Sequence, residues 1–255
     1  MILTTPIDRL IDVYRDRGAL ELLRRLGHQI PYQINERLLG SRFWFRLLHL
    51  INSYRYETVS EPYAIEYVDP ADVRYQSLRR VKSNRSRWRN VGKVIGGNWD
   101  IESQSPKYDL GNDLLYQAID KRFRHGESWE DTEYVNYTLK SLREGNNEKT
   151  WRAVVRNEDD LWERCEQLDK LYERIQNDGY RSKADIFASE WTDPMGYYPR
   201  TFKYSIDEVM VDFGREGEPL LVDGRHRLFI AKVCDVDEIP VLPVVRHTDF
   251  VNGEK

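Results

Sequence analysis

Five consecutive residues carry most of the chemistry that can be read in this chain: Asp223-Gly224-Arg225-His226-Arg227. They stand between an apolar run, Pro219 to Val222, and a nearly all-apolar stretch with helical spacing that begins at about Arg225. A helix N-terminus offers backbone N–H groups without intrahelical partners and a partial positive charge, so this turn attracts anions. Gly224 lets a phosphate approach the backbone, and arginine suits bidentate phosphate contact. Two arginines here oppose the helix dipole unless an anion or an acid sits nearby. His226 can donate one hydrogen bond and change charge near neutral pH. Asp223 is suited to hold a cation such as Mg2+, to act as a base, or to pair with an arginine. The plainer alternative is that Asp223 caps the helix and the arginines form surface pairs.

The elements that must position this turn are legible around it. Glu208 to Phe213 alternates Val209, Val211 and Phe213 as a strand, "GREGE" turns the chain, and Pro219 to Val222 returns. Ile239 to Val245 reads as the last strand, and Ala64 to Val68 as the first, closed by Asp69-Pro70. Between them, Leu114 to Phe123 keeps helical spacing and stops at Gly126. A second helix opens at the N-cap Ser128 and stops at Gly145, and a third runs from Asn157 to Asp178-Gly179. Residues 189 to 203 read as a loop.

The run "LLVDGRHRLFIAKVCDVDEIPV" resembles the ParB/sulfiredoxin-like superfamily, with its glycine–histidine–arginine turn between a strand and a helix and its apolar strand after "IP". "AIEYVDPADV" resembles that fold's first strand, and "LDKLYERIQNDGY" the helix before its central strands. The likeness covers residues 63 to 73 and 160 to 247. It implies an α/β (α+β) fold: a small mixed sheet with helices, preceded by N-terminal amphipathic helices (1–60) and interrupted by a large helical insertion at about 74–157. The layout is also similar to that of archaeal ParB-like proteins.

By position, the resemblance assigns nucleotide phosphates to Gly224, Arg225, His226 and Arg227, with ATP or CTP as the nucleotide and Mg2+ at Asp223. Asp223, His226 and Asp69 are then the catalytic candidates. Sulfiredoxins place a cysteine before the His-Arg pair; Arg225 stands there, which disfavours that chemistry. Partition proteins follow the core with a helix-turn-helix, whereas this chain ends about ten residues after its last strand. The turn is most similar to that of free serine kinases. The expectation is a nucleoside-triphosphate-binding protein, as a Mg2+-dependent phosphotransferase or hydrolase, acting on a small-molecule or macromolecular acceptor.

A second reading rests on Arg79 to Lys93, "RRVKSNRSRWRNVGK", which carries seven Lys and Arg and no acid. Arg85, Arg87, Arg89 and Lys93 would follow a nucleic-acid backbone while Trp88 stacks on a base, as in a nucleic-acid-binding protein or a ParB-like nuclease. The same arginines could instead serve the nucleotide, or form a solvated loop.

Composition bounds the rest. With 40% hydrophobic and 32% charged residues in 255, a soluble globular protein is expected, at a net charge of −4. Residues 1 to 60 are net +3. Their stripe Phe43, Trp44, Leu47, Leu48 and Ile51, beside Arg42 and Arg46, reads as a helix packed on the main domain; contact of residues 30–52 with an anionic membrane surface is the less favoured reading. Cys165 and Cys234 read as buried free thiols, and with no signal sequence the expected setting is cytoplasmic. His28 and His125 fit helix C-termini, and His247, after the last strand, is within reach of a site.

Overall fold

The computed structural model describes residues 42–56, 63–79, 88, 90–145, 155–189, 193–194 and 202–253. In chain order the elements are α1 (Arg42–Arg55), β1 (Glu66–Val68), β2 (Tyr75–Gln76), β3 (Lys93–Ile95), α2 (Trp99–Ser103), α3 (Leu114–His125), α4 (Glu133–Arg143) and α5 (Glu158–Asp178). After them come α6 (Lys183–Ala188), α7 (Phe202–Ser205), β4 (Val209–Phe213), β5 (Pro219–Asp223), α8 (Arg225–Val233), β6 (Ile239–His247) and α9 (Thr248–Gly253). The class is mixed α/β.

Six strands form one mixed sheet in the order β1-β6-β4-β5-β2. β4 and β6 run parallel, and β5 lies antiparallel to β4. β6 is long enough to pair along its other edge with both β1, at residues 239–241, and β3, at residues 245–247. Pro243 in this inner strand cannot donate to a ladder. The β4–β6 register shifts between Val211 and Asp212, opposite Pro243, so a bulge accommodates it.

Alternation along β4 distributes side chains to two cores. Val209, Val211 and Phe213 join the larger one with Leu115, Leu161, Leu168, Leu228 and Phe229 from α3, α5 and α8. Met210 joins the smaller one with Trp88, Val91, Val222, Leu242 and Val244. Coverage of both faces explains why β4, β5 and β6 read as nearly unbroken apolar runs.

Several expectations change here. The block 74–157 is helical in α2 to α4, yet it also supplies β2 and β3, which pair with β5 and β6. Two- and three-residue strands carry too little periodicity to be read from sequence. The α4 N-cap is Thr132, whose hydroxyl accepts from Val135 N, after a 3-10 turn at Trp129–Asp131. Ser128 Oγ instead donates to Asp131 at 3.0 Å. Of the stripe on α1, Phe43 is 68%, Leu47 36% and Ile51 40% exposed, so these three face outward, while Asn52 Nδ2 donates to Gly92 O and Tyr56 Oη to Val94 O at 3.2 Å. Residues 1–41, including His28, lie outside the described residues. Cys165 is buried and free, while Cys234 is only half-buried. Among the described residues no helix is long and apolar enough to cross a membrane.

Candidate functional site

β5 ends at Asp223, level with Met210 near the start of β4. The chain then turns through Gly224 at φ 90°, in the left-handed region. A Cβ at Gly224 would lie 2.9 Å from Val209 Cα, so both backbone conformation and space require glycine. α8 opens directly after it. Its first intrahelical bond, Leu228 N to Gly224 O at 3.1 Å, leaves the N–H groups of Arg225, His226 and Arg227 outside the helical ladder. No acidic residue occupies the first turn. The strand–glycine–helix turn expected here is present.

The side chains of the turn diverge. Arg225 is half-buried and pairs through Nη1 with Asp113 Oδ2 at 3.3 Å; Asp113 also caps α3 by accepting from Leu115 N. His226 keeps part of its surface accessible. Burial of the ring, with Arg225 and Arg164 nearby, pushes its pKa down to about 3, so the imidazole is neutral at physiological pH. Arg164, on α5, thereby emerges as a second cation at this end of α8. Sequence reading missed it because it is one of several charged residues on a long helix, and only the packing of α5 against α8 brings it here.

Arg227 turns inward, which corrects its assignment to the phosphate-binding set. It is 8% exposed, and its Nη1 donates to Glu208 Oε2 at 2.8 Å while Nη2 donates to Arg181 O. Its guanidinium lies 4.5 Å from the centroid of the Tyr180 ring. Glu208 also accepts from Lys183 N, and the Lys183 ammonium pairs with Asp193. This buried group contains two cations and two carboxylates. Burial raises the Glu208 pKa against the pull of Arg227, and burial together with Arg227 lowers that of Lys183. Burial also raises the Tyr180 phenol, whose buried Oη has no hydrogen-bond partner. Arg227 thus buttresses the turn from beneath. Only the neighbouring carboxylates decide this, and helical spacing alone could not separate Arg225 from Arg227.

Asp69 is also placed elsewhere. It caps a 3-10 turn at Pro70–Asp72 by accepting from Ala71 N at 2.7 Å. It lines a cavity beside Lys232, toward the C-terminal end of α8. Lys232 is seven residues along the helix from Arg225, about 10 Å at 1.5 Å per residue. Asp69 therefore does not join Asp223 and His226. His247 is likewise remote, buried at the end of β6 with Nε2 2.8 Å from Gly97 O.

For a metal, Asp223 is the one carboxylate placed directly at the turn. Among the described residues no group of three or more His, Cys, Asp or Glu side chains could hold an ion. A protein cage for Mg2+ is therefore not built there; a single carboxylate fits an ion that arrives with phosphates and keeps most of its waters.

The basic segment lies partly outside the described residues, as do Arg85, Arg87 and Arg89. Trp88 is 3% exposed and belongs to the smaller core, so the base-stacking role is corrected: its ring is packed against Val91, Met210 and their neighbours. Lys93 lies in β3 and donates to Asn90 Oδ1 at 2.9 Å. Arg79, the first residue of the run, sits over the Trp99 ring and 3.8 Å from the buried carboxylate of Asp212.

The chain matches no family model, no curated protein and no solved structure.

Proposed function

We propose that the chain has a ParB/sulfiredoxin-like core and binds a nucleoside triphosphate, ATP or CTP, with its phosphates at the Gly224 turn. The observation that carries this reading is the α8 N-terminus itself. Gly224, at φ 90° over Val209, opens the helix with no acid in its first turn and with Arg225 and Arg164 on the same side as His226. A helix N-terminus with no acid in its first turn and with arginines beside it favours a multiply charged anion over water.

In this reading Arg225 releases Asp113 to contact phosphate, and Arg164 adds a second positive charge. His226, neutral, hydrogen-bonds a phosphate oxygen or the incoming hydroxyl. Asp223 accepts the proton of the attacking hydroxyl or water, or holds Mg2+ through the nucleotide. Mg2+ would supply charge neutralisation on the transferring phosphoryl group. The reaction class is phosphoryl transfer or nucleotide hydrolysis. Arg227 contributes by holding the turn against Glu208.

Calorimetry with ATP, CTP, GTP and ADP in the presence of Mg2+ tests the proposal. Binding of at least one of them is expected, weakened about tenfold or more in Arg225→Ala and in Arg164→Ala, the loss of one charge-assisted phosphate contact in each case. Absence of binding by all four, or wild-type affinity in both variants, overturns it.

A further inference from the structure

A concavity of about 520 Å3 opens beside the C-terminal end of α8. That volume falls within the range of small-molecule sites, about 300–1,000 Å3. Pro70, Leu110 and Val236 provide apolar wall. Beside them, with Ala71, Gly111 and Tyr116, stand three cations and four carboxylates.

One cation of the lining is fully engaged. Arg124 Nη2 donates to Lys232 O at 2.8 Å and to Asp235 Oδ1 at 2.5 Å, closing the end of α8. Asp235 is held at φ 51°, the one non-glycine residue with positive φ among the described residues. The other two cations differ. Lys232 crosses the Tyr116 ring, 6.0 Å from its centroid, and its ammonium makes no hydrogen bond or ion pair among the described residues. The Arg74 guanidinium lies 5.9 Å from the ring centroid of its neighbour Tyr75 and makes no hydrogen bond or ion pair among the described residues.

Besides Asp235, three carboxylates share the lining with them. Asp69 and Asp109 each use one oxygen to cap their own turns, accepting from Ala71 N and Gly111 N, and the second accepts no hydrogen bond among the described residues. Asp237 is exposed at the rim. Beside the Arg124–Asp235 pair, Lys232 and Arg74 thus share one small cavity with Asp69, Asp109 and Asp237, with no ion pair among these five in the described residues. Lys232 is half-buried along Tyr116 and the caps fix Asp69 and Asp109, while Arg74 and Asp237 are exposed at the mouth.

We propose that this cavity is a binding site for a zwitterionic small molecule of the free amino acid class. Its carboxylate would lie at Lys232 and Arg74, its ammonium at the carboxylates of Asp237, Asp69 and Asp109, and its side chain on Pro70, Leu110 and Val236. A ligand carrying one charge engages only the cations or only the carboxylates of the lining. Burial lowers the Lys232 pKa against the pull of Asp69, and an arriving carboxylate offsets that cost. The site is separate from the Gly224 turn and does not depend on nucleotide binding there.

The test is a titration of the isotope-labelled full chain with the standard L-amino acids, with acetate and propylamine as single-charge controls, read by amide chemical shifts. At least one amino acid should move the signals of Ala71, Gly111 and Val236 while neither control does. Its affinity should fall about tenfold or more in Lys232→Ala and in Asp237→Asn, as one charge-assisted contact is removed. Asp237 is exposed, so its variant keeps the fold and isolates the contact. If no amino acid moves these signals, if acetate or propylamine moves them equally, or if both variants bind as wild type, the proposal is overturned.

Discussion

Arg227 and Glu208 form a buried pair across 2.8 Å, with side chains 10% and 1% exposed, directly beneath the turn that opens α8. The pair ties the first turn of that helix to the residue preceding β4. Removing one member leaves the other charge buried without its partner, which costs about 3–5 kcal/mol. Glu208→Ala and Arg227→Ala should each lower the unfolding free energy by that order in urea melts. The double variant should cost less than the sum, because both single changes break the same pair. Strict additivity would show that the two side chains act separately.

Gly224 and Gly126 both have positive φ, 90° and 73°, but their surroundings differ. A Cβ at Gly126 meets nothing within 4 Å, whereas one at Gly224 meets the Val209 backbone at 2.9 Å. Alanine at Gly126 incurs the backbone penalty alone, about 1 kcal/mol. Alanine at Gly224 adds a clash with a central strand and should cost at least about 1–3 kcal/mol more, the range for overpacking. Thermal melts of the two variants measure the difference. Equal losses would mean that α8 shifts freely away from β4.

Asp212 gives stability a specific pH dependence. Its carboxylate is buried on β4 and accepts from Ser77 Oγ at 2.6 Å, and its Oδ1 has no hydrogen-bond partner among the described residues. Burial pushes its pKa up to about 6, against the opposing influence of Ser77 and Arg79. The folded state therefore binds the proton more tightly than the unfolded chain. Stability from this group is full below the unfolded pKa, near 4, and is lost as pH rises through about 6. At 1.36 kcal/mol per unit the loss is about 3 kcal/mol. Urea melts between these pH values should show a decline that is absent in Asp212→Asn. An unchanged profile in that variant would assign the decline to other groups.

Much of the architecture was legible in the sequence because it rests on local rules. Val209, Val211 and Phe213 alternate, Leu161, Cys165, Leu168 and Ile175 recur at helical spacing, Gly126 ends a helix in left-handed geometry, and Gly179 ends one with a positive φ. The turn at Asp223–Gly224 was legible for the same reason: a glycine between an apolar strand and an apolar helix has few structural alternatives. What the sequence by itself determined was that an anion-attracting helix start stands at Gly224 and that arginines surround it. Tertiary structure alone decided which arginines face outward. Arg225 and Arg227 are two residues apart on one helix, but Glu208, Arg181 and Tyr180 converge on the second from distant positions in the chain and draw it inward. The same applies to Arg164, brought to His226 by helix packing, and to Trp88, whose neighbours in a basic run suggested a surface while Met210 and Val244 made it core. Charge and periodicity are properties of neighbours in sequence; the direction of a long side chain is set by the desolvation and pairing available from neighbours in space.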